Sequence, residues 1–189
     1  MSARSTTPSH PQHKRAAQFG GAMIEVLVSM LIVSFGIMGM LGMQTQATVS
    51  QMESYQRAQA LVLVKDMAQR MEANRSQVTA YLANDIGTGA AQDCTALTTT
   101  AARDLCEWAA QLQGAAEVLN GDKVGTLISA RGCISQPDPV SSPQVYMVAV
   151  VWQGLRETGA PVVECGKDAY SSEAARRAAT VVVQMSVLS

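Results

Sequence analysis

The chain has 189 residues, of which 48% are hydrophobic, 4% aromatic and 15% charged, with a formal net charge of -1. That length suits one ordinary domain, the high apolar content at low net charge excludes a disordered chain, and the charge balance offers no basic face for nucleic acid. The two histidines, His10 and His13, both precede a long apolar run. Histidine acid–base chemistry, Ser-His and Cys-His pairs and histidine metal sites are therefore excluded from any folded part. The sequence holds neither a Gly-rich phosphate loop ending in Gly-Lys-Ser/Thr nor a Cys-x-x-Cys pair. A carboxylate pair is the remaining formal route to catalysis, but no polar catalytic cluster is found and no cofactor site is read.

From Ala22 to Met43 the sequence reads AMIEVLVSMLIVSFGIMGMLGM, 22 residues with Glu25 as the single charge. As a helix this reaches roughly 33 Å, the thickness of a bilayer's hydrocarbon core. Residues 1–20 carry Arg4, Lys14 and Arg15 and no acid, so this flank is expected to stay cytoplasmic and the rest to be exported. A removable secretory signal has a shorter core, about 7–15 residues, ending in a small-x-small site. Gln44-Thr45-Gln46-Ala47 makes a poor one. A plain single-pass anchor leaves Glu25 unexplained, although a carboxylate near the centre of a span costs on the order of 2–3 kcal/mol.

Gly20-Gly21-Ala22-Met23-Ile24-Glu25-Val26-Leu27-Val28 resembles the class III signal of type IV pilins and pseudopilins. The resemblance implies that residues 1–20 are a leader removed after Gly20 by the prepilin peptidase, on the cytoplasmic face. It implies that Gly21 becomes the methylated N-terminus, and that Glu25 is the family's glutamate at the fifth mature position. This chain has Gly21 where the family usually carries Phe or Met. A carboxylate in apolar surroundings needs a partner. Cleavage would create an amine four residues from Glu25, and the same amine on a neighbouring subunit could pair with it and set the register of assembly.

Gly36, Gly39 and Gly42 recur every third residue. Each costs a helix roughly 1 kcal/mol relative to Ala, so the stretch reads either as small-residue packing in the membrane or as a segment that loosens on leaving lipid. No Gly or Pro follows until Gly87. Ala60, Val64, Met67 and Met71 fall at helical spacing, with Glu53, Arg57, Lys65, Asp66, Arg70 and Glu72 as the polar face. One helix is expected over residues 22–76, lipid-facing in its first half and amphipathic in its second. The Met stripe reads as core.

Residues 84–100, rich in Gly, Thr, Asn and Asp, are expected to be loop. A second helix is expected from Ala101 to about Leu119, with Leu105, Trp108, Ala109, Leu112, Ala116 and Leu119 on one face and Gly114 interrupting it. Strands are expected at 126–134, 145–152 and 180–188, forming an antiparallel sheet of three or four strands. Residues 136–143 and 153–172 read as surface loops, and Trp108 and Trp152 as core. The fold class is therefore α+β. The resemblance makes it the pilin ladle, a long N-terminal helix with its second half packed on a small antiparallel sheet.

Cys94, Cys106, Cys133 and Cys165 all follow the apolar run, on the oxidising side, so two disulfides are expected. Three connectivities are possible. Cys94–Cys106 with Cys133–Cys165 pairs neighbours in sequence without a crossing, and each closure contributes roughly 2–4 kcal/mol. Gaps of 11, 26 and 31 residues lack the close pair of a zinc site. Asp85, Asp93, Asp122, Asp138 and Asp168 lack calcium-loop spacing, so no metal site is read.

Asp93-Cys94-Thr95, then Asp104-Leu105-Cys106-Glu107-Trp108, then Gly114-Ala115-Ala116-Glu117-Val118 and a Val-rich strand with Trp, resemble PilV, the type IV pilus modification family of minor pilins. That implies a leader over 1–20, a transmembrane segment over 21–43 and a periplasmic head over 44–189. The chain would begin in the bacterial inner membrane and finish in the pilus at the cell surface. The partners implied are the prepilin peptidase, other minor pilins, the major pilin and the inner-membrane assembly platform. The role implied is the minor-pilin priming or tip complex, supporting pilus assembly, adhesion and twitching motility, without enzymatic activity. A minor pseudopilin of a type II secretion system shares the same N-terminal physics. A membrane-tethered periplasmic enzyme would instead keep residues 1–20.

Overall fold

The structure, a computed structural model, describes residues 19–114, 118–119, 122–123, 127–140 and 143–185. The expected leader therefore lies outside the described residues except for its last two positions. The chain divides into two units, residues 1–46 and 47–189.

Helix α1 runs from Phe19 to Ala73, in place of the 22–76 expected. Its length follows from the absence of Pro and of any Gly after Gly42. The glycines at 36, 39 and 42 do not interrupt it. In the first unit every described residue of α1 from Gly21 to Gln46 is exposed. A short 3-10 segment, Arg75–Tyr81, follows the helix.

Among its described residues the second unit contains α2 (Thr100–Leu112) and six strands: β1 (Ala83–Ile86), β2 (Val118–Leu119), β3 (Asp122–Lys123), β4 (Ile128–Asp138), β5 (Gln144–Gln153) and β6 (Arg176–Met185). β2 and β3 form a separate small ribbon, and the main sheet has the order β1-β4-β5-β6. All its pairings are antiparallel. Between β5 and β6 the register is unbroken from Gln144↔Met185 to Gln153↔Arg176.

Residues 84–86, the start of the expected loop 84–100, instead form β1 with Ala83, because Ala83 and Ile86 find partners at Ile134 and Gly132 of β4. α2 ends at Leu112 instead of Leu119, because Gly114 adopts φ 77, a left-handed conformation that stops a helix. Val118 and Leu119 form strand β2, and residues 115–117 lie outside the described set. β4 extends to Asp138 and so takes in part of the expected loop 136–143. β6 begins four residues earlier than expected, at Arg176, and residues 186–188 are not described.

One core joins the packed half of α1 to the sheet and α2. Ala60, Val64, Met67 and Met71 from α1 meet Ile134, Tyr146, Val148, Val150, Trp152, Ala179 and Val183 from the sheet, together with Trp108 and Leu112 from α2. Met67 and Met71 are wholly removed from water, each stabilising the fold by roughly 1.5–3 kcal/mol. Residues 146–152 of β5 read as a near-continuous apolar run because both faces are covered. Alternate residues face α1, and Val151 on the other face meets Gly166 of the 154–175 connection.

Candidate assembly surfaces

The apolar half of α1 is the one helix among the described residues long and apolar enough to cross a membrane. Its hydroxyls are satisfied within the helix. Ser29 Oγ donates to the Glu25 carbonyl and Ser34 Oγ to the Met30 carbonyl, both at 2.7 Å, and Thr45 Oγ1 donates to the Leu41 carbonyl at 3.1 Å. Such back-bonding lets Ser and Thr sit in an apolar helix without an unmet donor. Glu25 has no equivalent solution. Its carboxylate is exposed in a shallow depression shared with Ala22, Val26, Ser29, Met30, Val33 and Ser34, and among the described residues no cation pairs with it. Gly20 and Gly21 lie in the first turn of α1. Gly36, Gly39 and Gly42 have open space where a Cβ would stand.

In the second unit Arg70 organises the junction of α1, α2 and the 3-10 segment. Its Nε donates to Asp66 Oδ2 at 3.0 Å, and its Nη1 to Asp104 Oδ1 at 3.1 Å and Glu107 Oε2 at 2.6 Å. Burial opposes the Arg70 charge, but Glu107, Asp66 and Asp104 together raise its pKa above the ordinary arginine value. Tyr81, fully buried, donates to Asp104 Oδ2 at 2.5 Å and accepts from Asn74 Nδ2 at 3.2 Å. Its burial, aided by the hydrogen bond to Asp104, pushes its pKa up to about 12. Trp108 Nε1 donates to the Leu63 carbonyl at 3.0 Å, a second tie between α2 and α1. The Cys94–Cys106 disulfide joins the preceding loop to α2.

Residues 42–111, which include this junction, match the family model Tt1218-like, described as type IV pilin Tt1218. Over these residues, a little over a third of the chain, it is similar to that type IV pilin family. No curated protein and no solved structure gives a significant match. The long helix with its apolar stretch and the four-stranded antiparallel sheet are consistent with the pilin fold.

β5 and β6 lie beyond the matched residues. The connection between them is held down from beneath. The Arg176 side chain is only 3% exposed, and its Nη1 donates to the carbonyls of Val163 at 2.6 Å and Cys165 at 3.0 Å, its Nη2 to Pro161 at 3.3 Å. Glu173 Oε2 balances the charge at 2.5 Å, and Arg176 in turn lowers the Glu173 pKa. Cys133–Cys165 fastens the same connection to β4. Between them a cleft of about 930 Å³ opens, lined by Arg131, Met147, Ala149, Val162 and Lys167 among others. Arg177 bonds the Arg156 carbonyl and reaches Glu53 Oε1 of α1 at 3.5 Å.

On sequence alone Arg70 and Glu53 belong to the polar face of the helix, and Arg176 has no assigned role. The available signal was an Arg pair, Arg176 and Arg177, opening an otherwise uncharged strand. Among the described residues no group of His, Cys, Asp or Glu is arranged to hold a metal ion.

Proposed function

We propose that the chain is a minor pilin of a type IV pilus, of the PilV kind, acting in the priming or tip complex that supports pilus assembly, adhesion and twitching motility. Residues 1–20 form the leader, 21–43 the membrane-spanning segment and 44–189 the periplasmic head. The prepilin peptidase cuts between Gly20 and Gly21, and Gly21 is then methylated. Opening the first turn of α1 at this bond is eased by two adjacent glycines, each costing a helix roughly 1 kcal/mol relative to Ala. The chain leaves the inner membrane through the assembly platform and joins the major and other minor pilins.

One observation carries this reading: the Glu25 carboxylate stands exposed in an apolar helix with no cation beside it among the described residues. In lipid or in a filament core such a charge needs a partner. An N-terminal amine freed at Gly21, on this or a neighbouring subunit, supplies one. Mass spectrometry of the mature N-terminal peptide tests the processing, with a methylated start at Gly21 expected. Glu25→Gln should be cut normally yet enter sheared pili several-fold less. A chain that still begins at Met1, or normal incorporation of the variant, overturns the reading. Absence from sheared pili with recovery beside secretion pseudopilins would move it to that related system.

A further inference from the structure

The two edges of the main sheet are built differently. β1 closes one edge with four residues, an irregular register against β4 and a left-handed Asp85 at φ 54. Short length, irregularity and charge are the devices by which proteins keep a sheet edge from pairing with another chain. β6 at the other edge has none of them beyond its first two residues. It pairs with β5 over its whole length without a bulge. From Ala178 to Met185 it reads Ala-Ala-Thr-Val-Val-Val-Gln-Met, with no charge, Pro or Gly. The two arginines that open it are turned inward, Arg176 to Glu173 and the 161–165 carbonyls, Arg177 to Glu53 and the Ala174 carbonyl. They guard at most its first two positions and leave Ala178–Met185 without a charge.

In an antiparallel pair, alternate residues direct their N–H and C=O groups away from the partner strand. Among the described residues, no group outside β5 bonds to Ala178–Met185. On the face away from α1, Val182 is 60% exposed opposite Met147, and Thr180 and Gln184 are exposed beside it.

We propose that the free edge of β6 is a docking site for an extended, uncharged strand from a neighbouring pilin subunit, which lengthens the sheet by one strand. A row of alternating donors and acceptors repeating every second residue, about 6.6–6.8 Å, is the spacing that another extended backbone presents. The eight residues span roughly 26 Å, enough for a strand of ordinary length. Backbone pairing supplies the affinity and Val182 with Met147 the side-chain selectivity. That the neighbour is a pilin rests on the functional reading above. An uncharged, Val-rich edge left open is an aggregation hazard, and assembly would cover it.

The test uses the full-length chain in cells that assemble its pilus, with a photo-cross-linking residue at Gln184 in one strain and at Ile32 of α1 in another. Linked peptides are identified by mass spectrometry. The Gln184 probe should link to a strand of another pilin, and Thr180→Lys/Val182→Lys should cut that yield several-fold while both disulfides still form. Pilin links from Ile32 without any from Gln184 would overturn the edge proposal alone. Links from Gln184 unaffected by the two lysines would also overturn it. No pilin link from either position would overturn the pilin reading and the edge proposal together.

Discussion

Gly132 sits in β4 beneath α2, where only a glycine fits. A Cβ built there would lie 2.4 Å from both Cη2 and Cζ3 of Trp108 and 2.9 Å from Leu112 Cδ1, well inside the 3.5–4.0 Å of carbon–carbon contact. Trp108 is fully buried, and its indole N–H is committed to the Leu63 carbonyl at 3.0 Å. The ring cannot retreat without giving up that bond. Overpacking of this kind costs typically 1–3 kcal/mol, and loss of the indole hydrogen bond adds about 1 kcal/mol. Against this, Gly→Ala restricts the unfolded chain and returns about 0.4–1 kcal/mol. Gly132→Ala should therefore destabilise the second unit by about 2 kcal/mol. Urea unfolding of the detergent-solubilised full-length chain, disulfides intact and followed by circular dichroism, measures it. Trp108→Phe removes the two distal ring carbons but leaves Leu112 Cδ1 at 2.9 Å, so in that background Gly132→Ala should cost about 1 kcal/mol or less, a coupling of at least about 1 kcal/mol by double-mutant cycle. A single variant as stable as the parent, or a cost that ignores Trp108→Phe, would refute the packing argument.

Arg176→Met keeps the packing volume of its stem but strips three carbonyls and Glu173 of their donor. Leaving those partly buried carbonyls without their donor costs about 1–3 kcal/mol, and trypsin should nick the exposed Lys167 much faster than in the parent. The disulfides close loops of sequence separation 12 for Cys94–Cys106 and 32 for Cys133–Cys165. Chain entropy assigns them roughly 3 and roughly 4 kcal/mol, so Cys133→Ala/Cys165→Ala should lower the urea midpoint more than Cys94→Ala/Cys106→Ala does. Alkaline stability follows from Tyr81 and Tyr170, whose burial raises both pKa values from 10.0 to about 12. The folded chain holds these phenolic protons more tightly than the unfolded one. Their contribution is whole below pH 10 and declines as pH rises towards 12. Melting temperature should fall across that window, and less steeply in Tyr81→Phe.

Much of the fold could be read from local patterns. The apolar run and the absence of Pro and Gly beyond Gly42 announce α1. The spacing of Ala60, Val64, Met67 and Met71 marks the face that is buried. β-Branched runs mark β5 and most of β6. Glu25 could be singled out because one charge among apolar residues stands out without any tertiary information. β1 could not be read, since Ala-Asn-Asp-Ile has no strand pattern of its own and forms only because β4 offers partners.

The roles of the arginines were hidden for the same reason. In sequence Arg70 is one charge on an amphipathic helix, whereas in the fold three carboxylates from two helices meet on it. Arg176 looks like a solvated residue at a strand start until the connection from Pro161 to Cys165 folds back over it. Gly132 gives no sequence signal either, because the residue it must admit, Trp108, is 24 positions earlier. Local periodicity and composition determine which segments are helix or strand and which faces are apolar, because those depend on neighbours within a turn or two. Strand order, the open edge at β6 and the pairing of buried charges depend on contacts between distant residues, and only the assembled tertiary structure decides them.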